Sequence, residues 1–239
     1  MNRFWKWIPC IALLLSCLFP ACGTDQLPSP DASWRNDFSV ADNLETEWQF
    51  EGGKLWTPRT RFYIADEPTA SAGKVMVVES DSGTGVMLTH PKGVNLTETP
   101  IMRWRWRLVR PVVLAEGKKE PDDQAVVMYF GDGSLLKQQC VGYRWESLAP
   151  IGATALLKYC GGMMTVKRFC IQNRETPLNR WIVEERDVVA DYEAAFGRKP
   201  KPFFLVSVGA NSQYSGSDTR AEIDFIEFIP RKKSGEEAK

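Results

Sequence analysis

The chain has 239 residues, and its 30 basic and 30 acidic side chains cancel to a formal net charge of zero. That length suits one all-β domain, and the charge balance removes the electrostatic case for a nucleic-acid partner. With one His and no Cys pair at metal-ligand spacing, neither a zinc site nor a Ser-His-Asp triad is indicated, and no nucleophile elbow accompanies the His.

Residues 1–22 read as an export signal of the lipoprotein type. Arg3 and Lys6 precede an apolar run, Ile11–Phe19, with one cysteine, Cys17, in its second half and another, Cys22, just after it. The run is shorter than the ~20 apolar residues that span a bilayer. Leu14-Leu15-Ser16-Cys17 fits the recognition pattern before a lipidated cysteine. Cys22 is the second choice, since Pro20 is unusual there although Gly23-Thr24-Asp25 suits a mature start. Cleavage after Ala21 without lipid is the plain alternative. Residues 23–33 are small, polar and Pro-containing and read as a tether.

From Trp34 onward strands and turns dominate. Lys74–Glu79 and Val86–Thr89 flank the turn Asp81–Gly85 as a hairpin. Met102–Leu108, Ala125–Phe130, Gln139–Trp145, Thr165–Ile171, Trp181–Arg186, Phe203–Gly209 and Ala221–Ile229 follow as strands. The glycine-rich spots are hairpin turns and not phosphate cradles, because no helix follows them, and no cofactor is indicated. One short helix is expected at Val189–Phe196, closed by Gly197 and capped by Asp187. The expected fold is all-β, a two-sheet antiparallel β-sandwich with jelly-roll-like topology over 34–230, ending in a charged tail at 231–239.

Period-two alternation sorts each strand into two faces. Trp104, Trp106 and Leu108 oppose Arg103, Arg105 and Arg107. Val141, Tyr143 and Trp145 oppose Cys140, Gly142 and Arg144. Trp181 and Val183 oppose Glu184 and Arg186. Two readings of the arginine-bearing face stay open. It is either a solvated face of mutually paired charges, or a shallow site for a polar or anionic ligand such as an acidic glycan, read by arginine forks. The candidate ligand-binding set is Arg103, Arg105, Arg144, Glu184, Arg186, Asp123 and Asp191. Hydrolysis of a glycan needs two carboxylates across a cleft; Asp122, Asp123, Glu184, Asp187 and Asp191 are available, but no spacing selects a pair. Calcium at Asp122-Asp123 and loop 211–218 is a further option.

Exported cysteines are free to pair. If Gln139–Trp145 and Thr165–Ile171 are antiparallel neighbours, Cys140 and Cys170 share a face and suit a disulfide. Cys160 is then the odd one, free or paired with Cys22, and Cys140–Cys160 and Cys160–Cys170 are the less favoured combinations.

The order Trp104-Arg105-Trp106-Arg107, Asp122-Asp123-Gln124-Ala125, Tyr129-Phe130, Tyr143-Arg144-Trp145, Trp181–Val188, Asp191-Tyr192, Phe196-Gly197 and Ile223–Ile226 resembles the DUF3047 family of exported bacterial proteins. The resemblance covers roughly Trp34 to Ile229. It implies a fold unit and an envelope location, and no reaction. Members tend to carry an Asp-rich turn after the strand matching Phe203–Gly209; here Ala210–Tyr214 lacks that charge, which weakens the calcium option. The function expected is therefore a lipid-anchored envelope binding module for a glycan or another polar envelope component. A glycan-acting hydrolase or lyase and an assembly lipoprotein are the alternatives.

Overall fold

The computed structural model describes residues 27–52, 54–114, 122–134 and 137–232. The export segment, with Cys17 and Cys22, lies outside the described residues. In chain order the strands are β1 (Trp34–Asn36), β2 (Gln49–Glu51), β3 (Arg61–Asp66), β4 (Lys74–Asp81), β5 (Thr84–Thr89), β6 (Ile101–Arg110) and β7 (Gln124–Ser134). After these come β8 (Lys137–Trp145), β9 (Thr154–Tyr159), β10 (Met164–Gln172), β11 (Ile182–Asp187), β12 (Leu205–Asn211) and β13 (Asp218–Ile229). Among the described residues two α-helices accompany them, α1 (Asn43–Thr46) and α2 (Val188–Phe196), with a 3-10 turn at Cys160–Gly162.

The strands form two sheets. The first runs β11-β6-β13-β4-β3, with β1 added on β13; the second runs β2-β5-β12-β7-β8-β10-β9. Alternation on β6 and β8 places Trp104, Trp106, Tyr143 and Trp145 between the sheets, each almost fully buried. Their rings bridge the layers, with centroids 5.4 Å apart for Trp104–Tyr143 and 5.8 Å for Trp106–Trp145. Phe130, Phe204 and Phe228 close the other end of the core.

The corner from β11 into α2 follows from sequence. The Asp187 carboxylate accepts the Ala190 N–H at 3.0 Å, and Gly197 ends the helix at φ 68°, a left-handed turn open to glycine. Val188 and Tyr192 are the buried positions of the helix.

One pairing departs from the antiparallel expectation. β8 and β10 are parallel, because the chain leaves β8, passes over the end of the neighbouring position, descends as edge strand β9, and returns as β10 between the two. The register places Cys140 opposite Val166 and Cys170 opposite Arg144. Four strand residues thus separate the two cysteines, about 13 Å at ~3.3 Å per residue, against the ~4.4–6.8 Å a disulfide spans. The expected Cys140–Cys170 bridge is therefore incorrect. Among the described residues Cys140, Cys160 and Cys170 are all thiols, the first and last buried.

Candidate functional site

The arginines of β6 are spent within their own sheet. On the outer face of the first sheet Arg103 meets Glu227 at 2.6 Å and Glu185 at 3.1 Å, and also donates to the Leu27 carbonyl. Arg105 meets Asp224 at 2.5 Å, and Arg107 meets Glu222 and Glu67. The Trp181 ring covers both, 4.8 Å from the Arg105 guanidinium and 4.4 Å from that of Arg107. Arg103 and Arg105 are only 3% and 8% exposed. Buried charges of this kind need their partners, so this face is a closed charge lattice. Its Glu67 carboxyl lies below the ordinary range, held there by the Thr69 hydroxyl and by Arg107 against the effect of burial.

The outer face of the second sheet is open. Glycines keep it low. A Cβ on Gly142 would come within 2.7 Å of the Tyr129 ring, and one on Gly209 within 2.5 Å of Val86. Tyr129 and Val86 therefore lie flat with Val127, Cys140, Val166, Tyr159 and Met164 as an apolar floor. A cavity of about 250 Å³ sits on this floor, with Gln124, Tyr129, Arg144, Tyr159, Asn211 and Tyr214 among its walls.

Gln124 reaches this cavity because of a bulge. Gly209 pairs with Val127, but Asn211 pairs with Gln124, so two residues of β7 face one of β12. Ala125 and Val126 both turn into the core there, and the strand's alternation resumes shifted.

Arg144 anchors the polar side. Its guanidinium donates to Asp122 at 2.6 Å and to the Tyr159 hydroxyl at 2.9 Å, while that hydroxyl donates to the other Asp122 oxygen at 2.7 Å. Asn211 donates to the Asp122 carbonyl at 2.7 Å. Burial pushes the Tyr129 and Tyr159 phenols up, against the pull of Arg144, so both stay protonated. Burial works against the Arg144 charge, but Tyr129, Asp122 and Tyr159 more than offset it and the group stays a cation. Burial likewise pushes the Cys140 thiol up to about 12, which makes it inert. At the rim Lys54 bonds Gln213 at 3.0 Å and lies 5.3 Å over the Tyr214 ring. The adjoining Leu55 and Trp56 are exposed, Trp56 at 93%.

The residues singled out from sequence do not converge. Arg103 and Arg105 lie in the first sheet's lattice, and Arg144 lies in the groove of the second sheet. Arg186 and Asp191 form a two-pronged pair at 2.9 Å that also receives the Tyr143 hydroxyl at 2.7 Å. Glu184 accepts from Gln172 at 2.7 Å, and burial raises its carboxyl above the ordinary range. Asp123 is buried, and its carboxylate takes the Tyr214 and Ser215 N–H groups, pinning the loop beside the groove. That use leaves it poorly placed for calcium, and among the described residues no group of three or more His, Cys, Asp or Glu could hold a metal. Gln124, Tyr129, Tyr159 and Tyr214 were not legible as site residues.

A family model described as "Protein of unknown function (DUF3047)" matches residues 46–227. No curated protein matches the chain. Three solved structures show distant likeness. The family 11 carbohydrate-binding module of cellulase Lic26A-Cel5E of Clostridium thermocellum is 8% identical, with 87% of this chain and 99% of that one covered at TM-score 0.46. The enzymatically active domain of bacteriophage CBA120 tailspike protein 4 is 6% identical, with 84% and 21% covered at TM-score 0.42; this chain thus spans about a fifth of that one. A family 12 xyloglucanase from Bacillus licheniformis is 10% identical, with 77% and 100% covered at TM-score 0.36. At such scores none specifies a ligand or a reaction for this chain.

Proposed function

We propose, from the premise that this chain belongs to the DUF3047 family of proteins of unknown function, that it is an envelope module holding a glycan in the groove of the second sheet. Lipid on Cys17 or Cys22 would tether it to a membrane. The observation that carries the binding reading is the groove itself, where tyrosine rings stand beside buried polar side chains over an apolar floor. A sugar presents C–H faces that pack on aromatic rings and hydroxyls that satisfy buried polar groups, and concave sites with a few convergent polar groups are where ligands bind. Binding is favoured over hydrolysis because Asp122 is the only acid among the described lining residues, and it is already engaged by Arg144 and Tyr159.

Affinity electrophoresis of the purified protein through gels containing plant, microbial and peptidoglycan-derived polysaccharides tests the reading. Retention by at least one polysaccharide is expected, with loss in Tyr129→Ala and Tyr214→Ala. Tyr214 is 60% exposed, so that variant keeps its fold. A folded sample retained by none of the gels overturns it.

A further inference from the structure

Two residues that line the groove each carry a buried polar atom with no hydrogen-bond partner, the Gln124 Oε1 acceptor and the Arg144 Nε–H donor. Gln124 is 6% exposed and Arg144 1%, and both line the same cavity. Orphaned buried groups of this kind are costly unless something arrives to pair with them. A ligand that fits must both donate, to Gln124, and accept, from Arg144.

The charges around these atoms are already matched. Asp122 lies 2.6 Å from the Arg144 guanidinium and Glu146 3.9 Å, while Arg168 balances Glu146 at 3.5 Å. At the rim Lys54, among the described residues, bonds only the neutral Gln213 and Tyr214, so it keeps its charge at the mouth while that of Arg144 is cancelled by Asp122. A ligand carboxylate would bring further negative charge beside Asp122 and Glu146, and it has no proton to give Gln124 Oε1. A sugar hydroxyl is neutral, donates and accepts.

Resting on the glycan reading above, we infer that the groove selects uncharged sugars over uronic acids. Gln124 Oε1 is the acceptor and Arg144 Nε–H the donor that read the sugar, and Asp122 is the residue that excludes the acid by cancelling the arginine. Arginine here is thus a neutral-sugar reader and not a carboxylate fork.

The test uses matched polysaccharides that differ in oxidation at C6: β-1,4-glucan and β-1,4-glucuronan, β-1,4-mannan and β-1,4-mannuronan, α-1,4-galactan and α-1,4-galacturonan. The neutral member of the pair bound is expected to bind about tenfold more tightly or better, the factor one well-made buried hydrogen bond supplies. Gln124→Ala is expected to weaken neutral binding by a similar factor of roughly ten with little change in melting temperature. Asp122→Asn is expected to raise affinity for the uronate member and to make it fall steeply with salt. Tighter uronate binding by the parent protein, or full neutral binding by Gln124→Ala, overturns the inference while the glycan reading stands. Binding to no member of any pair and to no polysaccharide in the wider panel overturns both. If Asp122→Asn does not fold, the matched pairs and Gln124→Ala decide alone.

Discussion

Gly142 sets how low the groove can be. Its missing Cβ is what lets the Tyr129 ring lie across β8 at 2.7 Å from the position such an atom would take. Gly142→Ala should cost about 1–3 kcal/mol, as overpacking does, and should lift Tyr129 off the floor. A lower melting temperature together with lost polysaccharide retention checks this; a loss of stability with retention intact would show that Tyr129 does not define the groove. Glu184 gives a residue-scale effect of the opposite sign. Burial raises its carboxyl above the ordinary range, so its charged form burdens the fold. The folded state takes up this proton before the unfolded state does, and the resulting stability is complete below the ordinary value of ~4.3 and lost as pH rises through the raised value. Glu184→Gln should therefore melt higher than the parent at pH 7, with the difference closing below about pH 4, read by thermal melts across pH. Single residues were only partly legible in the sequence. The inward set Trp104, Trp106, Tyr143 and Trp145 was readable because polar residues alternate with it. Tyr129 was not, because every residue from Ala125 to Phe130 is apolar or aromatic and alternation has no contrast to work with.

At the scale of elements, the same limits have structural causes. The bulge at Ala125-Val126 reverses the facing of Gln124, and nothing in the sequence marks it. β9 alternates exposed and half-buried positions at the sheet edge; without it in view, β8 and β10 look like antiparallel neighbours, and Tyr159 has no place in a site. The helix α2 was legible because its end signals are local: Asp187 at its start and Gly197 at its close. Asp187 also receives Arg231 at 2.7 Å, so the cap ties the last strand's exit to the helix. Asp187→Ala should cost about 1 kcal/mol, the usual worth of such a cap, seen as a shift in the denaturant midpoint. The cysteine pattern is checked directly by thiol labelling. Cys160, exposed in its turn, should react in the native protein, and Cys140 and Cys170 only after unfolding. A mass two units lower after non-reducing purification, lost on reduction, would contradict this arrangement.

For the whole molecule, the sandwich has one closed outer face and one open one. The arginines that drew attention in the sequence lie mostly on the closed face, where carboxylates of the same sheet consume them. Sequence shows the supply of charge, while strand order decides which charges meet. The proposed lipid tether is tested at this scale as well: replacing Cys17 and Cys22 together by Ser should release the protein from the membrane fraction or block its processing, and unchanged fractionation and mass would remove the anchor from the proposal.

The inserted strand pair has a consequence for inheritance. β9 and β10 join the second sheet along one seam, β10 on β8, and give the core one stacking ring, Phe169 on Tyr143 at 5.5 Å. They also carry Tyr159, Met164 and Val166 of the groove wall. A chimera with a foreign hairpin of equal length that keeps Tyr159 for Arg144, Arg168 for Glu146 and an aromatic at position 169 is expected to melt close to the parent while changing its sugar preference. A drop in melting temperature as large as a core Trp→Ala causes would refute the separation. Where it holds, ligand choice can drift in a family through exchange of this single cassette, while the tryptophan-rich interior that makes each member foldable passes on unaltered.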